Sequence, residues 1–284
     1  MKLPFSPTLL FLAASFFINA VRAEDLLGRL QSAEPSLAYT WVFHGTPGAQ
    51  VEAIHDTVET IELVPYSCDN GGFATLTKGV PGSGLAIAIP APASQKEGAG
   101  LRSKKLINWP REGTVEFLAC LQDSGLPTTG MIISGLSLET EKSTGNRWFV
   151  AQKRPGDPLI WVVGSNGDFR EMPVLVGGAS PVPLENNAWY YFALQYRFEA
   201  NSTCRLRAFV ARLGEKTPRL EKVAEISVPA STREGCEPLL SLINVGVNGN
   251  NAAFGWQGSV ANLAFYREWL PEESLANHLR SLHP

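Results

Sequence analysis

The chain has 284 residues, with 24 Lys and Arg against 27 Asp and Glu, and 44% of it is hydrophobic. Its formal net charge of −3, without a basic run, argues against nucleic acid as a partner. The length suits one large β domain or two small ones, and past the first two dozen residues no stretch is long and apolar enough to span a bilayer.

Residues 1–23 read as a secretory signal. Lys2 is the charged start, Leu9 to Ala20 the apolar centre, and Val21-Arg22-Ala23 a small-residue cleavage site. An uncleaved anchor is the alternative, which Pro4, Pro7 and the short apolar centre disfavour. Cleavage would remove Lys2 and Arg22, leaving 22 − 27 = −5. The expected location is secreted or periplasmic, with no membrane span after cleavage.

Residues 24–36 form a lead-in. Leu26, Leu27 and Leu30 suit one side of a short helix that Pro35 ends. Leu37, Tyr39, Trp41 and Phe43 alternate with Ala38, Thr40 and Val42, predicting a first strand with an aromatic buried face. Residues 58–64 suit a strand, although Val51, Ile54, Val58 and Ile61 also fit a helix. Residues 101–108 read as one strand. Val115, Phe117 and Ala119 share one side of the next, with Thr114, Glu116 and Leu118 on the other. Strands are then expected over 131–134, 147–152, 159–163, 188–196, 205–212 and 241–247, with turns at 154–158 and 164–168.

The stretch from Phe254 to Leu282 closes the chain. Gly255 and Gly258 make a turn. Ala261, Leu263 and Phe265 then alternate with Val260, Asn262, Ala264 and Tyr266, a two-sided apolar pattern of an interior strand. Pro271, Glu272 and Glu273 suit a helix start. Leu275, Leu279 and Leu282 give it one buried stripe. Many short strands separated by Gly/Pro turns imply an all-β antiparallel sandwich with a short C-terminal helix.

Four pieces carry a resemblance: Gly79-Val80-Pro81-Gly82-Ser83, Gly113-Thr114-Val115-Glu116-Phe117, Trp189 to Ala193 with its partner strand, and Gly258-Ser259-Val260 followed by Phe265-Tyr266, Leu270 and Leu275. In that order they resemble laminin G-like (LamG) domains of the concanavalin A-like lectin/glucanase superfamily. The resemblance implies a single jelly roll over residues 37–284, with glycan or extracellular protein as partner. It implies calcium as a possible ion and no other cofactor. The family's acidic residue after the aliphatic one in the last strand is replaced here by Ala261.

Cys68, Cys120, Cys204 and Cys236 in an exported chain suggest two disulfides. Three pairings are open. Cys204 with Cys236 is favoured, because a strand from Arg205, a turn near Gly214 and a return to Val228 bring the chain back beside Cys204. None of the four has zinc-ligand spacing, so no metal site is assigned from them.

Catalytic chemistry is thin. The paired carboxylates of a glucanase strand, E-x-D-x-x-E, are absent. Glu59 and Glu62 would face opposite ways on a strand, and Glu139 and Glu141 sit in a polar, turn-like segment. Strand parity does not assemble a lyase set of His, Tyr, Arg and Gln. No catalytic residue is assigned. For binding, Trp148 and Trp161 could stack on sugar rings, with Asn166, Asp168, Asn248, Asn250 and Asn251 as hydroxyl partners. Core packing of the tryptophans and turn roles for the asparagines are the alternatives. Asn166 and Asp168 would supply two oxygens to calcium, short of a full set. The expected function is therefore non-catalytic recognition of a glycan or protein surface. A polysaccharide-degrading enzyme or a structural envelope component is the alternative.

Overall fold

In the computed structural model, residues 25–55, 61–68, 71–94, 96–122, 130–137, 146–153, 159–163, 170–174, 184–199, 203–229, 239–247 and 255–282 are described. Helix α1 (Leu26–Ala33) precedes strands β1 (Leu37–Trp41), β2 (Ile54–His55), β3 (Glu62–Ser67), β4 (Thr75–Lys78), β5 (Leu85–Ile89), β6 (Ala99–Ser103), β7 (Ile107–Trp109) and β8 (Glu112–Leu121). There follow β9 (Gly130–Ser137), β10 (Asn146–Lys153), β11 (Leu159–Val163), β12 (Arg170–Val174), β13 (Trp189–Phe198), β14 (Thr203–Arg212), β15 (Glu221–Pro229), β16 (Leu239–Val245) and β17 (Gly258–Tyr266). Helix α2 (Glu272–Ser281) comes last. The predicted signal lies outside the described residues.

The strands form two antiparallel sheets. The first runs β15-β14-β13-β8-β17-β5-β4, with β1 also on β17, and the second runs β12-β11-β10-β9-β16-β6-β3-β2, with β7 also on β16. The all-β sandwich with a short helix after its last strand is as expected. Val115, Phe117 and Ala119 of β8 meet Trp41, Phe192, Ile133, Ile243 and Trp161 in the core between the sheets. Aromatic rings organise this layer, with Phe117 stacked on Phe192 at 5.0 Å and Trp109 edge-on to Phe265 at 5.1 Å. Each such pair contributes about 0.5–1.5 kcal/mol beyond its buried area.

The first sheet is buried on both faces, as the two-sided pattern of β17 requires. Its outer face carries Leu118, Tyr191, Phe209, Ala261 and Tyr266, and Leu275, Leu279 and Leu282 of α2 seal it together with Leu27 of α1. Of the three leucines expected on one side of α1, only Leu27 is buried, and Leu30 is exposed. Asp25 caps α1 by accepting the Gly28 N–H at 3.0 Å. The Gly79–Ser83 piece is the tight turn expected before β5. Gly82 has φ +81, and a Cβ there would meet Ser281 O at 2.6 Å, so the turn packs directly on the end of α2.

Three expectations are corrected. The alternation of β17 is not uniform. Val260, Leu263 and Phe265 face the core, while Ala261, Ala264 and Tyr266 face the helices. A bulge between Ala261 and Ala264 inserts one residue, Asn262 with φ +48, and switches the parity. At that point β17 changes neighbour from β5 to β1. The single strand over 101–108 is two strands, β6 and β7, both paired with β16. The break carries Lys104 and Lys105 outward, and Ser103 Oγ accepts the Ile243 N–H at 3.0 Å in place of a ladder bond. Finally, Cys68 and Cys120 are thiols rather than a bridge. Cys68 follows β3 in the second sheet, whereas Cys120 lies in β8 of the first. Cys204 stands opposite Val228, as the predicted hairpin demands, but it too is a thiol, so the favoured bridge to Cys236, which lies outside the described residues, is not formed.

Candidate functional site

The two sheets expose their outer faces differently. Helices cover that of the first, and among the described residues no helix covers that of the second. On the second sheet, Leu63, Leu101, Ile133 and Ile243 point into the core. Strand alternation therefore turns Val64, Arg102, Ser134 and Asn244 to the other side. Register aligns them in one row, Val64–Arg102–Asn244–Ser134. Tyr66 follows Val64 on the same side, and Glu62 precedes it.

This row is organised around Arg102. Its guanidinium lies over the Tyr66 ring, 3.6 Å from the centroid. Its Nε donates to Asn244 Oδ1 at 3.0 Å. Asn244 is buried, with its amide nitrogen 3.5 Å from Ser134 O, and Ser134 Oγ donates to Val247 O at 3.2 Å. Asn244 and Ser134 thus make a closed polar floor, while Arg102 and Tyr66 are half-buried above it. Burial lowers the Arg102 pKa from its ordinary value, with the Tyr66 hydroxyl opposing that shift. No carboxylate among the described residues pairs with it. At the end of the row, Glu62 holds Lys104 at 2.9 Å, and His55 of β2 stands opposite Glu62 in register. What this face offers chemically is a fixed, planar, cationic fork beside a polar floor. Such a group recognises carboxylates and vicinal acceptors in two-point contact.

Two other polar clusters are matched within themselves. On the first sheet, Arg197 and Arg207 lie over Trp269 at 4.4 and 4.5 Å. Glu112 holds Arg197 at 2.5 Å, and Glu225 takes Arg205, Arg207 and Lys222. Desolvation opposes ionisation of Glu225, but those three cations win and bring its pKa down to about 2. Beneath α2, His278 Nδ1 is 3.0 Å from both oxygens of Glu116, and its Nε2 is 3.3 Å from Glu34. Tyr266 donates to Glu116 at 2.6 Å, and the Tyr191 hydroxyl faces the same carboxylate. Glu116 is fully buried and His278 only 2% exposed, so no substrate reaches them. A recess of about 10 Å³, room for no more than a water, is lined by Tyr39, Asn108, Trp109, Thr114 and Tyr196 and is far below the range of ligand pockets.

The sequence-derived site residues are not gathered here. Trp161 is corrected. It is fully buried in the core between the sheets, so it presents no face to a sugar. Trp148 belongs to β10, and its side chain lies outside the description, as do Asn166, Asp168, Asn248, Asn250 and Asn251. Among the described residues no group of three His, Cys, Asp or Glu could hold a metal ion. Sequence reasoning missed Tyr66, Arg102 and Asn244, which come from three strands far apart in the chain. The usable signal was alternation: Tyr66, Arg102 and Asn244 each stand at the parity opposite to Leu63, Leu101 and Ile243 of their strands. It also missed His278 with Glu116, although His278 falls on the Leu275–Leu279–Leu282 stripe.

No protein-family model matches the sequence, and no curated protein sequence matches it. Among solved structures, the chain is similar to an α-L-arabinofuranosidase soaked with a cyclic sulfate inhibitor, with TM-score 0.54 and 12% identity, over 82% of this chain and 50% of that one. It is also similar to an arabinofuranosidase complexed with arabinofuranosyl-α-1,2-xylobiose, with TM-score 0.51, 12% identity and the same coverage. A Trypanosoma rangeli sialidase matches with TM-score 0.49 and 14% identity, over 85% of this chain and 32% of that one. The chain spans about half the length of the arabinofuranosidases it matches, and at these identities the likeness is one of fold.

Proposed function

We propose that the protein is an exported, laminin G-like jelly-roll domain that recognises a glycan on the outer face of its second sheet without transforming it. The observation that carries this reading is Arg102. It is a half-buried cation fixed by Tyr66 and Asn244, on a sheet face that no described helix covers. Rigid polar groups over a closed floor are what sugar recognition needs, because they lose little freedom on binding. The arabinofuranosidases that share the fold are sugar-directed by name, one of them in complex with an arabinofuranosyl xylobiose, which supports a glycan over a protein surface. Calcium, implied by the laminin G-like resemblance, would need oxygens beyond Asn166 and Asp168, and no step is assigned to it.

One observation favours an enzyme as the second reading. Glu62, Tyr66 and Arg102 share a side of the sheet, and His55 stands opposite Glu62 in register. These are groups that general acid–base chemistry on a polysaccharide would use. A glycan array on the purified protein, followed by reducing-end and unsaturated-product assays on each hit, separates the two. Binding without product, lost in Arg102→Ala, is expected. Product formation abolished by His55→Ala or Glu62→Gln would move the function to catalysis, and no binding to any glycan would overturn the proposal.

A further inference from the structure

We propose that the glycan is a uronate, and that Arg102 reads the carboxylate of one acidic sugar. This rests on the glycan reading of the second sheet's outer face. Both groups that fix Arg102 are neutral, the Tyr66 ring at 3.6 Å and the Asn244 amide oxygen at 3.0 Å. They orient the guanidinium without cancelling its charge. Other arginines of the domain are neutralised by their own neighbours: Arg197 by Glu112, Arg207 by Glu225 and Arg212 by Glu185. Burial works against the Arg102 cation, so an arriving anion recovers a cost that the folded chain already carries.

Geometry selects the kind of anion. Asn244 engages Nε, and the edge formed by the two terminal nitrogens has no carboxylate partner among the described residues. That edge matches a planar carboxylate through two parallel hydrogen bonds, coplanar with a guanidinium already stacked on Tyr66. A densely sulfated chain is the poorer fit. It is held by clusters of cations, and here one fixed guanidinium stands on a chain of net charge −3. One carboxylate per sugar suits one arginine.

The test is calorimetric titration of the purified protein with matched tetrasaccharides. The panel holds galacturonate, glucuronate and mannuronate forms, their methyl esters, the neutral hexose counterparts and a sulfated galactan. At least one uronate should bind, and its methyl ester, which keeps the ring and removes the charge, should bind about 10- to 100-fold more weakly. Arg102→Gln should lose a similar factor, and Arg102→Lys, a point charge without the fork, should fall between. If Arg102→Gln does not fold, the ester comparison on the unmodified protein still decides. Equal binding of the uronate and its ester or neutral counterpart overturns the uronate proposal and leaves glycan recognition standing. Tighter binding of the sulfated galactan overturns it in favour of sulfate. No binding by any member overturns both.

Discussion

Replacing His278 by Ala tests the link between the last helix and the first sheet. The imidazole lies 3.0 Å from both oxygens of Glu116 and 3.3 Å from Glu34. Without it, the Glu116 carboxylate stays fully buried, with Tyr266 at 2.6 Å as a neutral donor. Removing one partner of such a buried pair costs about 3–5 kcal/mol, because the remaining charge has lost its counter-ion but not its burial. At about 2–4 °C per kcal/mol for a domain of this size, Tm should fall by about 6–20 °C. Calorimetric melts at pH 5.5 on His278→Ala, Glu116→Gln and the double variant read the coupling directly. A coupling energy of about 1–3 kcal/mol is expected, so the double variant should be much less damaged than the sum. The apolar pair Glu116→Leu with His278→Leu should come close to the parent, since a buried ion pair is worth little more than well-packed hydrocarbon. Strict additivity of the two single changes would refute the reasoning.

The same pair gives stability a pH dependence. Burial pulls the His278 pKa down, but Glu116 and Glu34 outweigh it and raise it above 6.5. Burial pushes Glu116 up, and His278, Tyr266 and Tyr191 outweigh it and bring it below 4.5. A raised histidine stabilises fully below 6.5 and loses that as pH rises through its folded value. A lowered carboxylate stabilises above 4.5 and loses that as pH falls through its folded value. The Tm difference between the parent and Glu116→Gln/His278→Ala should therefore be largest between pH 4.5 and 6.5 and shrink on both sides; a difference that grows above pH 8 would contradict it. Asn262→Ala should cost about 1–2 kcal/mol in urea melts, since it loses the 3.0 Å bond to Asp25 and strains φ +48, whereas Asn262→Gly should cost less. Equal losses would remove the backbone part of that account. For the thiols, native labelling with a thiol reagent should reach half-buried Cys68 quickly. Cys120 should react only on unfolding, because burial raises its pKa, and fast modification of Cys120 would refute its place in β8.

Alternation made the sheets legible. Val115, Phe117 and Ala119 had to share a side, and so did Tyr39, Trp41 and Phe43, because period two is a property of the strand itself. Leu37, expected with them, lies on the helix side beyond a register shift in β1. The Gly79–Ser83 turn and the leucine stripe of α2 were legible for the same local reason. What period two cannot see is one inserted residue. Asn262 carries no glycine or proline signal, yet it switches every side chain after it to the other face. Nor can local pattern bring together Tyr66, Arg102 and Asn244, whose meeting depends on β3, β6 and β16 lying side by side. For Trp161, sugar stacking and core packing are both open in the sequence, because an aromatic residue on a strand has the same local pattern in a core and in a groove.

The position of β17 bears on how the chain can be made. It lies between β8 on one side and β5, then β1, on the other, although all three precede it by far in the sequence. Until it is synthesised, the first sheet exists only as three pieces, β15-β14-β13-β8, β5-β4 and the lone strand β1. Each keeps an unpaired edge, the kind of template on which another strand can build. Closure then waits for a strand whose partners β8, β5 and β1 all lie far back in the chain, and such non-local pairing slows folding. A nascent chain stopped before residue 258 should therefore stay unfolded and hungry for strands, so the first sheet can be completed only once β17 itself has been made.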